Sequence, residues 1–207
     1  MLEEAQILRY SRQILLRPVG GAGQERLLDV RVGWDGQGAA AAVAAAYLAA
    51  GGSGVEGVPD GGVPVGPGQR GFLFGASHQG AATGPLLRQV LAEFNADALS
   101  QGARGAVLSE APFPPGLESS GTRLCLGAEE GGAVVLLVSA DDCRVCLQET
   151  CALLQPVPLA QATATGALAA LVLQRLALGL APSEGGWTIS SEGRIGARAP
   201  TRCSTCR

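Results

Sequence analysis

Lysine is missing from the chain: all 15 basic residues among its 207 are arginine. No side chain here can therefore offer the compact point charge of a lysine ammonium, and arginine is not a free substitute for it. Histidine is reduced to His78, in a glycine-rich loop, where it reads as a solvated residue rather than a ligand or base. Aromatics make up 4% of the sequence, so the core must be built from Ala, Leu and Val. There is no basic run and the formal net charge is −3, which leaves no footprint for nucleic acid. The longest apolar stretch, Ala39–Ala50, is too short and too alanine-rich to cross a bilayer, so no membrane partner is expected. The acidic opening Met1-Leu2-Glu3-Glu4 does not resemble a secretory signal, and a cytoplasmic protein is expected.

What is present in excess is glycine, at 31 residues, together with six cysteines in a telling arrangement. Cys143-Arg144-Val145-Cys146 and Cys203-Ser204-Thr205-Cys206 are two Cys-x-x-Cys pairs. At that spacing two thiolates can hold one metal ion from a tight turn, and two such pairs complete a tetrahedral tetrathiolate, for which zinc is the usual occupant. A redox dithiol or a disulfide is the alternative, but two matched pairs in a reducing compartment favour metal. Cys143, Cys146, Cys203 and Cys206 are thus the expected zinc ligands, tying the C-terminal tail back to the body of the domain.

Read in order, residues 2–16 carry a helical apolar period, and Gln24 to Leu28 form a short second helix. Val30-Arg31-Val32 opens a strand, followed by Gly36-Gln37-Gly38-Ala39-Ala40-Ala41, a G-x-G-x-x-[G/A] pattern leading into an alanine-rich helix that runs to about Ala50. A second strand over Val55 to Val58 reaches Asp60, about 20 residues beyond Gly38, where a nucleotide fold holds its ribose hydroxyls. Asp35 conflicts with this pattern, since an anion beside the loop should repel phosphate. Gly57 and Pro59 weaken the second strand. An amphipathic helix spans Pro85 to Asn95, and Gly105 to Leu108 is a short strand. Arg123 to Gly127 and Ala133 to Val138 read as two buried strands or a hairpin around Glu129 to Gly132. A helix from about Ala160 to Leu178 is apolar nearly all round and should be buried in the core or against a partner. Trp187 to Ser190 and Gly193 to Ala197 are late strands. The fold class is α/β: a Rossmann-like sheet flanked by helices, with a C-terminal zinc tetrathiolate staple. One domain over 1–207 is expected, with a helical arm at 1–29, a nucleotide-type half at 30–121 and a zinc-bearing half at 122–207.

Leu8-Arg9-Tyr10-Ser11-Arg12-Gln13-Ile14-Leu15, then Gly23-Gln24-Glu25-Arg26-Leu27-Leu28, then the Gly36/Gly38 strand–loop–helix resemble the opening of the ThiF/MoeB/HesA family, relatives of ubiquitin-activating enzymes. At the other end, Asp142-Cys143-Arg144-Val145-Cys146-Leu147, Cys151, a long apolar helix, a strand pair and a terminal Cys-x-x-Cys follow that family's order. The resemblance covers about residues 5–60 and 122–207 and is poor between them. It implies ATP- and magnesium-dependent adenylation of the C-terminal Gly-Gly of a ubiquitin-like sulfur carrier, by a homodimer with a zinc tetrathiolate. By motif position it places Gly36 and Gly38 at ATP phosphates, Asp60 at the ribose, Arg12 at a nucleotide in the partner subunit, and Cys151 near the family's mobile cysteine.

Three charge-handling positions depart from the family. Its arginine in an Asn-x-x-Arg-Gln run is approximated only by Gln69-Arg70-Gly71; its helix lysine has no counterpart, with Arg88 close to the place; its magnesium aspartate is matched only by Ser109-Glu110. Adenylation places charge on a pentavalent phosphorus and depends on such cations and metal. The expectation is a catalytically degenerate member, a zinc-stabilised scaffold or partner subunit for a ubiquitin-like/sulfur-carrier or peptide-modification system. The alternative is an active adenylyltransferase. The glycine pattern and Asp60 alone would also fit a nicotinamide-dependent oxidoreductase, but no acid–base residue accompanies them.

Overall fold

The computed structural model describes residues 1–35, 38–66, 73–99, 103–113, 121–138, 144–180 and 185–198. Seven strands make one sheet in the order β2-β1-β3-β4-β5-β6-β7. They are β1 (Val30–Asp35), β2 (Gly54–Glu56), β3 (Ala103–Glu110), β4 (Arg123–Glu129), β5 (Gly132–Val138), β6 (Gly185–Ser190) and β7 (Ile195–Arg198). The first four run parallel, and β5, β6 and β7 add antiparallel meander strands. Helices α1 (Glu4–Ile14) and α2 (Gly20–Asp29) precede the sheet; α3 (Ala39–Ala50) links β1 to β2, and α4 (Thr83–Phe94) lies between β2 and β3. Helices α5 (Arg144–Leu153) and α6 (Leu159–Ala177) separate β5 from β6.

Because both faces of the central strands are covered, β4 and β5 read as continuous apolar runs, as buried strands should. Alternation sorts them. Leu124, Leu126, Ala133, Val135 and Leu137 face the large core beneath α3, α4 and α6. Cys125, Val134, Leu136 and Val138 face a smaller cluster that also holds Cys151 and Leu154 of the α5 segment. The expected helix Ala160 to Leu178 is α6, and it packs its small residues against α3. Gly166 sits so close that a Cβ there would lie 2.4 Å from the Ala40 carbonyl oxygen and 2.7 Å from Val43 Cβ. The alanine run of α3 serves the same approach, with Ala40, Ala41, Ala44 and Ala45 all fully buried.

Several boundaries differ from the sequence expectation for identifiable reasons. The strand expected over Val55 to Val58 ends at Glu56, since Gly57 takes φ +79° and turns the chain out of the sheet. The first strand does carry Trp34 and Asp35 at its end, where pairing with β3 extends to Asp35↔Ser109. The segment from Arg144 to Leu153 is a helix, where only a metal-binding turn was expected.

Candidate functional site

Strand order locates the site. The chain goes from β1 outward to β2, then returns to place β3 on the other side of β1. The carboxyl ends of β1 and β3 are therefore the switch point at which open α/β sheets bind their ligands. Asp35 ends β1, Ser109 and Glu110 end β3, and Gly38 precedes the first turn of α3. The N-terminus of such a helix is a ready anion site, with backbone N–H groups unsatisfied by the helix itself.

In this chain that position is filled from within. The Ala41 N–H donates to Glu110 Oε2 at 2.7 Å, and the N–H groups of Ala40 and Val157 also reach the carboxylate. Glu110 is only 3% exposed. A Cβ on Gly38 would fall 1.9 Å from its carboxyl carbon, so the glycine is required by the glutamate that sits over it. Burial pushes the Glu110 carboxyl up to about 7, against the opposing pull of the Ala41, Ala40 and Val157 N–H groups.

The group at the head of α3 is thus the Glu110 carboxyl, and the conflict foreseen for Asp35 is resolved differently. Adjacent strand residues point to opposite faces, and Asp35 turns away from α3. Its carboxylate accepts from Arg123 Nη1 at 2.8 Å, and Arg123 also donates to the Ser109 hydroxyl. Arg123 is well buried and ties the ends of β1, β3 and β4 together on the face covered by α5.

Asp60 lies beyond the end of β2, fully exposed, and its Oδ1 accepts from Arg88 Nη2 at 2.6 Å. Arg88, from α4, also donates to the Val58 carbonyl at 2.6 Å. The arginine near the family's lysine position is therefore spent on the loop after β2. Arg12 is exposed in the last turn of α1. Gly36, Arg70, Cys143, Cys203 and Cys206 lie outside the described residues. Cys146 is in the first turn of α5, half-buried, and Cys151 is buried near that helix's end. No group of three or more potential metal ligands occurs among the described residues.

Sequence reading named Ser109-Glu110 only as a possible metal site; its role at the helix terminus depended on how far β3 runs beside β1. A second feature was not legible at all. Cys125 and Cys151, 26 positions apart in the sequence, are both buried in the smaller core cluster. The neighbouring Cys125 thiol pulls the Cys151 thiol below its usual range, whereas Cys125 is pushed well up by Cys151 and by burial.

No family model matches the sequence, and no curated protein does. Solved structures do match in three dimensions. PaaA aligns with a TM-score of 0.71 at 14% identity, over 97% of this chain and 85% of that one. MccB of E. coli aligns with a TM-score of 0.71 at 16% identity, over 96% of this chain and 71% of that one. The microcin C7 biosynthetic enzyme MccB in complex with N-formylated MccA aligns with a TM-score of 0.68 at 14% identity, over 96% and 74% of the two chains. Among the described residues no helix is long and apolar enough to cross a membrane. The chain therefore has the fold of PaaA and MccB.

Proposed function

We propose that this chain is a catalytically degenerate ThiF/MoeB/HesA-like protein, acting as a scaffold or partner subunit in a peptide-modification or carrier-protein system. One observation carries the reading: Glu110 occupies the backbone N–H groups at the head of α3, where a nucleotide's phosphates would need them. The Glu110 carboxyl and a phosphate cannot share the Ala40 and Ala41 N–H groups, and the glutamate side chain fills the space over Gly38 that a phosphate would take. The residues present do not fit ATP in a second respect, because the exposed Asp60 is engaged by Arg88. Magnesium loses its expected carboxylate to the same Glu110 contact. A peptide partner is suggested by the related fold of MccB, whose structures include complexes with MccA.

Native mass spectrometry with millimolar MgATP tests this directly. The expected spectrum shows no nucleotide adduct, and pyrophosphate exchange stays at background with any Gly-Gly carrier or peptide supplied. Exchange that requires Asp60, lost in Asp60→Asn, would instead establish the active adenylyltransferase.

The four paired cysteines are a soft thiolate donor set that suits zinc. Cys143, Cys146, Cys203 and Cys206 would hold one ion, whose contribution is structural. Sites of this type contribute on the order of 10 kcal/mol to folding. One zinc per chain is expected by elemental analysis, and chelation should lower the melting temperature sharply. A Cys203→Ser chain that keeps its zinc and its stability would overturn the assignment. Zinc content and subunit count can be read from the same native spectra, which also test pairing with a second copy.

A further inference from the structure

Helix α1 turns apolar side chains to solvent. Of its 11 residues only Tyr10 is buried, and Arg9 fixes the helix to the end of α4 by donating to the Phe94 carbonyl at 2.7 Å. With about 3.6 residues per turn, Leu8 points away from Tyr10 and from the body of the protein. It is 71% exposed, and Leu15, at the helix end, is 82% exposed, with Ile7 and Leu16 also exposed. An amphipathic surface helix ordinarily turns such residues inward. Here Leu8 is the centre of an outer ridge at four-residue spacing, Glu4, Leu8 and Arg12, flanked by the small residues Ala5 and Ser11. Glu4 and Arg12 are both exposed, and among the described residues no ion pair engages either of them. The Ser11 hydroxyl donates to the Leu8 carbonyl at 3.1 Å, so it brings no unpaired donor to a contact on this face. The ridge is acidic at one end, apolar in the middle and basic at the other. Set against a second copy running the opposite way, it is self-complementary, as a two-fold contact requires.

We propose that the outer ridge of α1 is the surface through which this chain pairs with a second copy of itself, the two helices crossing antiparallel at Leu8. Leucine then meets leucine at the two-fold axis, and Glu4 of each copy lies opposite the partner's Arg12. Ala5 lies opposite the partner's Ser11, where small side chains let the helices approach. Ridges at four-residue spacing that interdigitate in this way cross at about −50°. Leu15 of one copy covers the N-terminal turn of the other, removing the most exposed leucine from water. Arg12 is used here for a carboxylate on the partner helix, not for the nucleotide contact that the family resemblance assigns to it. The pairing rests on the partner-subunit reading above, but neither ATP nor zinc takes part in it. Self-association and nucleotide binding are therefore separate observations.

Sedimentation velocity of the whole chain over a range of concentrations tests the contact. A dimer with a dissociation constant on the order of 10 µM is expected from a contact of this small size. Leu8→Glu should leave a monomer with an unchanged circular dichroism spectrum, since Leu8 is a surface residue. Glu4→Arg or Arg12→Glu alone should weaken pairing about tenfold, because the two-fold axis turns each substitution into two repulsive pairs. The double variant, Glu4→Arg with Arg12→Glu, should return to within about threefold of the parent. Positions 4 and 12 are two turns apart and do not touch within one helix, and both reversals oppose the helix dipole. Recovery in the double variant can therefore come only from a contact between copies. A chain that stays monomeric up to about 200 µM, well above that expected constant, overturns the proposal. So does a Leu8→Glu chain that dimerises like the parent, a double variant that pairs no better than the single ones, or a monomer whose α1 instead binds anionic phospholipid vesicles. In each of these cases the outcome with MgATP still decides the nucleotide reading by itself.

Discussion

Between about pH 5 and about pH 8 the chain is expected to lose stability as pH rises, and Glu110→Gln should flatten that slope. The sign follows from the direction of the shift. Burial lifts the Glu110 carboxyl from an ordinary 4.5 to about 7. Between those values the folded chain keeps a proton that the unfolded chain has released, so folding is favoured at the acid end. Below the ordinary value both states are protonated and the full benefit is present; as pH passes through 7 the native carboxyl ionises in a buried place and the benefit is gone. The shift corresponds to about 3 kcal/mol, or about 5–10 °C in melting temperature for a chain of this size. Urea unfolding at a series of pH values measures it. A parent chain whose stability is flat or rises across that interval would show that the three backbone N–H groups outweigh burial.

The second large effect is expected at the α3–α6 contact. Gly166→Ala places a methyl 2.4 Å from the Ala40 carbonyl oxygen and 2.7 Å from Val43 Cβ, and the nearer of these is backbone. Neither helix can yield by rotating a side chain, so the two must move apart. Overpacking of this kind costs about 3 kcal/mol, with a fall in melting temperature of about 5–10 °C. The displaced segment is the one whose Ala40 and Ala41 N–H groups hold Glu110, so the midpoint of the pH dependence should also move. Gly21→Ala is the contrasting substitution. It lies in α2 with nothing within 4 Å of its Cβ position. It should stabilise by about 0.5–1 kcal/mol through lower entropy of the unfolded chain. Thermal melts of the two variants side by side distinguish a packing glycine from an idle one. Equal and small effects would mean that the close helix contact does not constrain the fold.

Both glycines look alike in the sequence, which shows where local reading ends. Periodicity carried the elements well: the apolar runs around Arg123 and Ala133, the amphipathic α4 and the long α6 were legible because burial of one face leaves a mark at every second, third or fourth residue. The helix α5 left no such mark, since its ten residues mix polar side chains with cysteines. Gly57 and Pro59 announced the weakness of β2, and the strand does end there.

At the site the division is sharper. The glycine loop, Asp60, Arg88 and the Ser109-Glu110 pair could all be singled out from residue type and order, as could the two Cys-x-x-Cys pairs. Which anion meets the head of α3 could not. Asp35 is nearer in sequence, yet strand alternation sends it to the opposite face and Arg123; Glu110, 69 positions from Ala41, arrives because β3 pairs alongside β1. Composition and local pattern determined that this chain, which has no lysine, would place helices around a Rossmann-like sheet. Only the tertiary structure decided that the Glu110 carboxyl meets the head of α3 and that Cys125 and Cys151 share one buried cluster. Strand register sets contacts between residues far apart in the chain, and no local signal in either partner encodes the other.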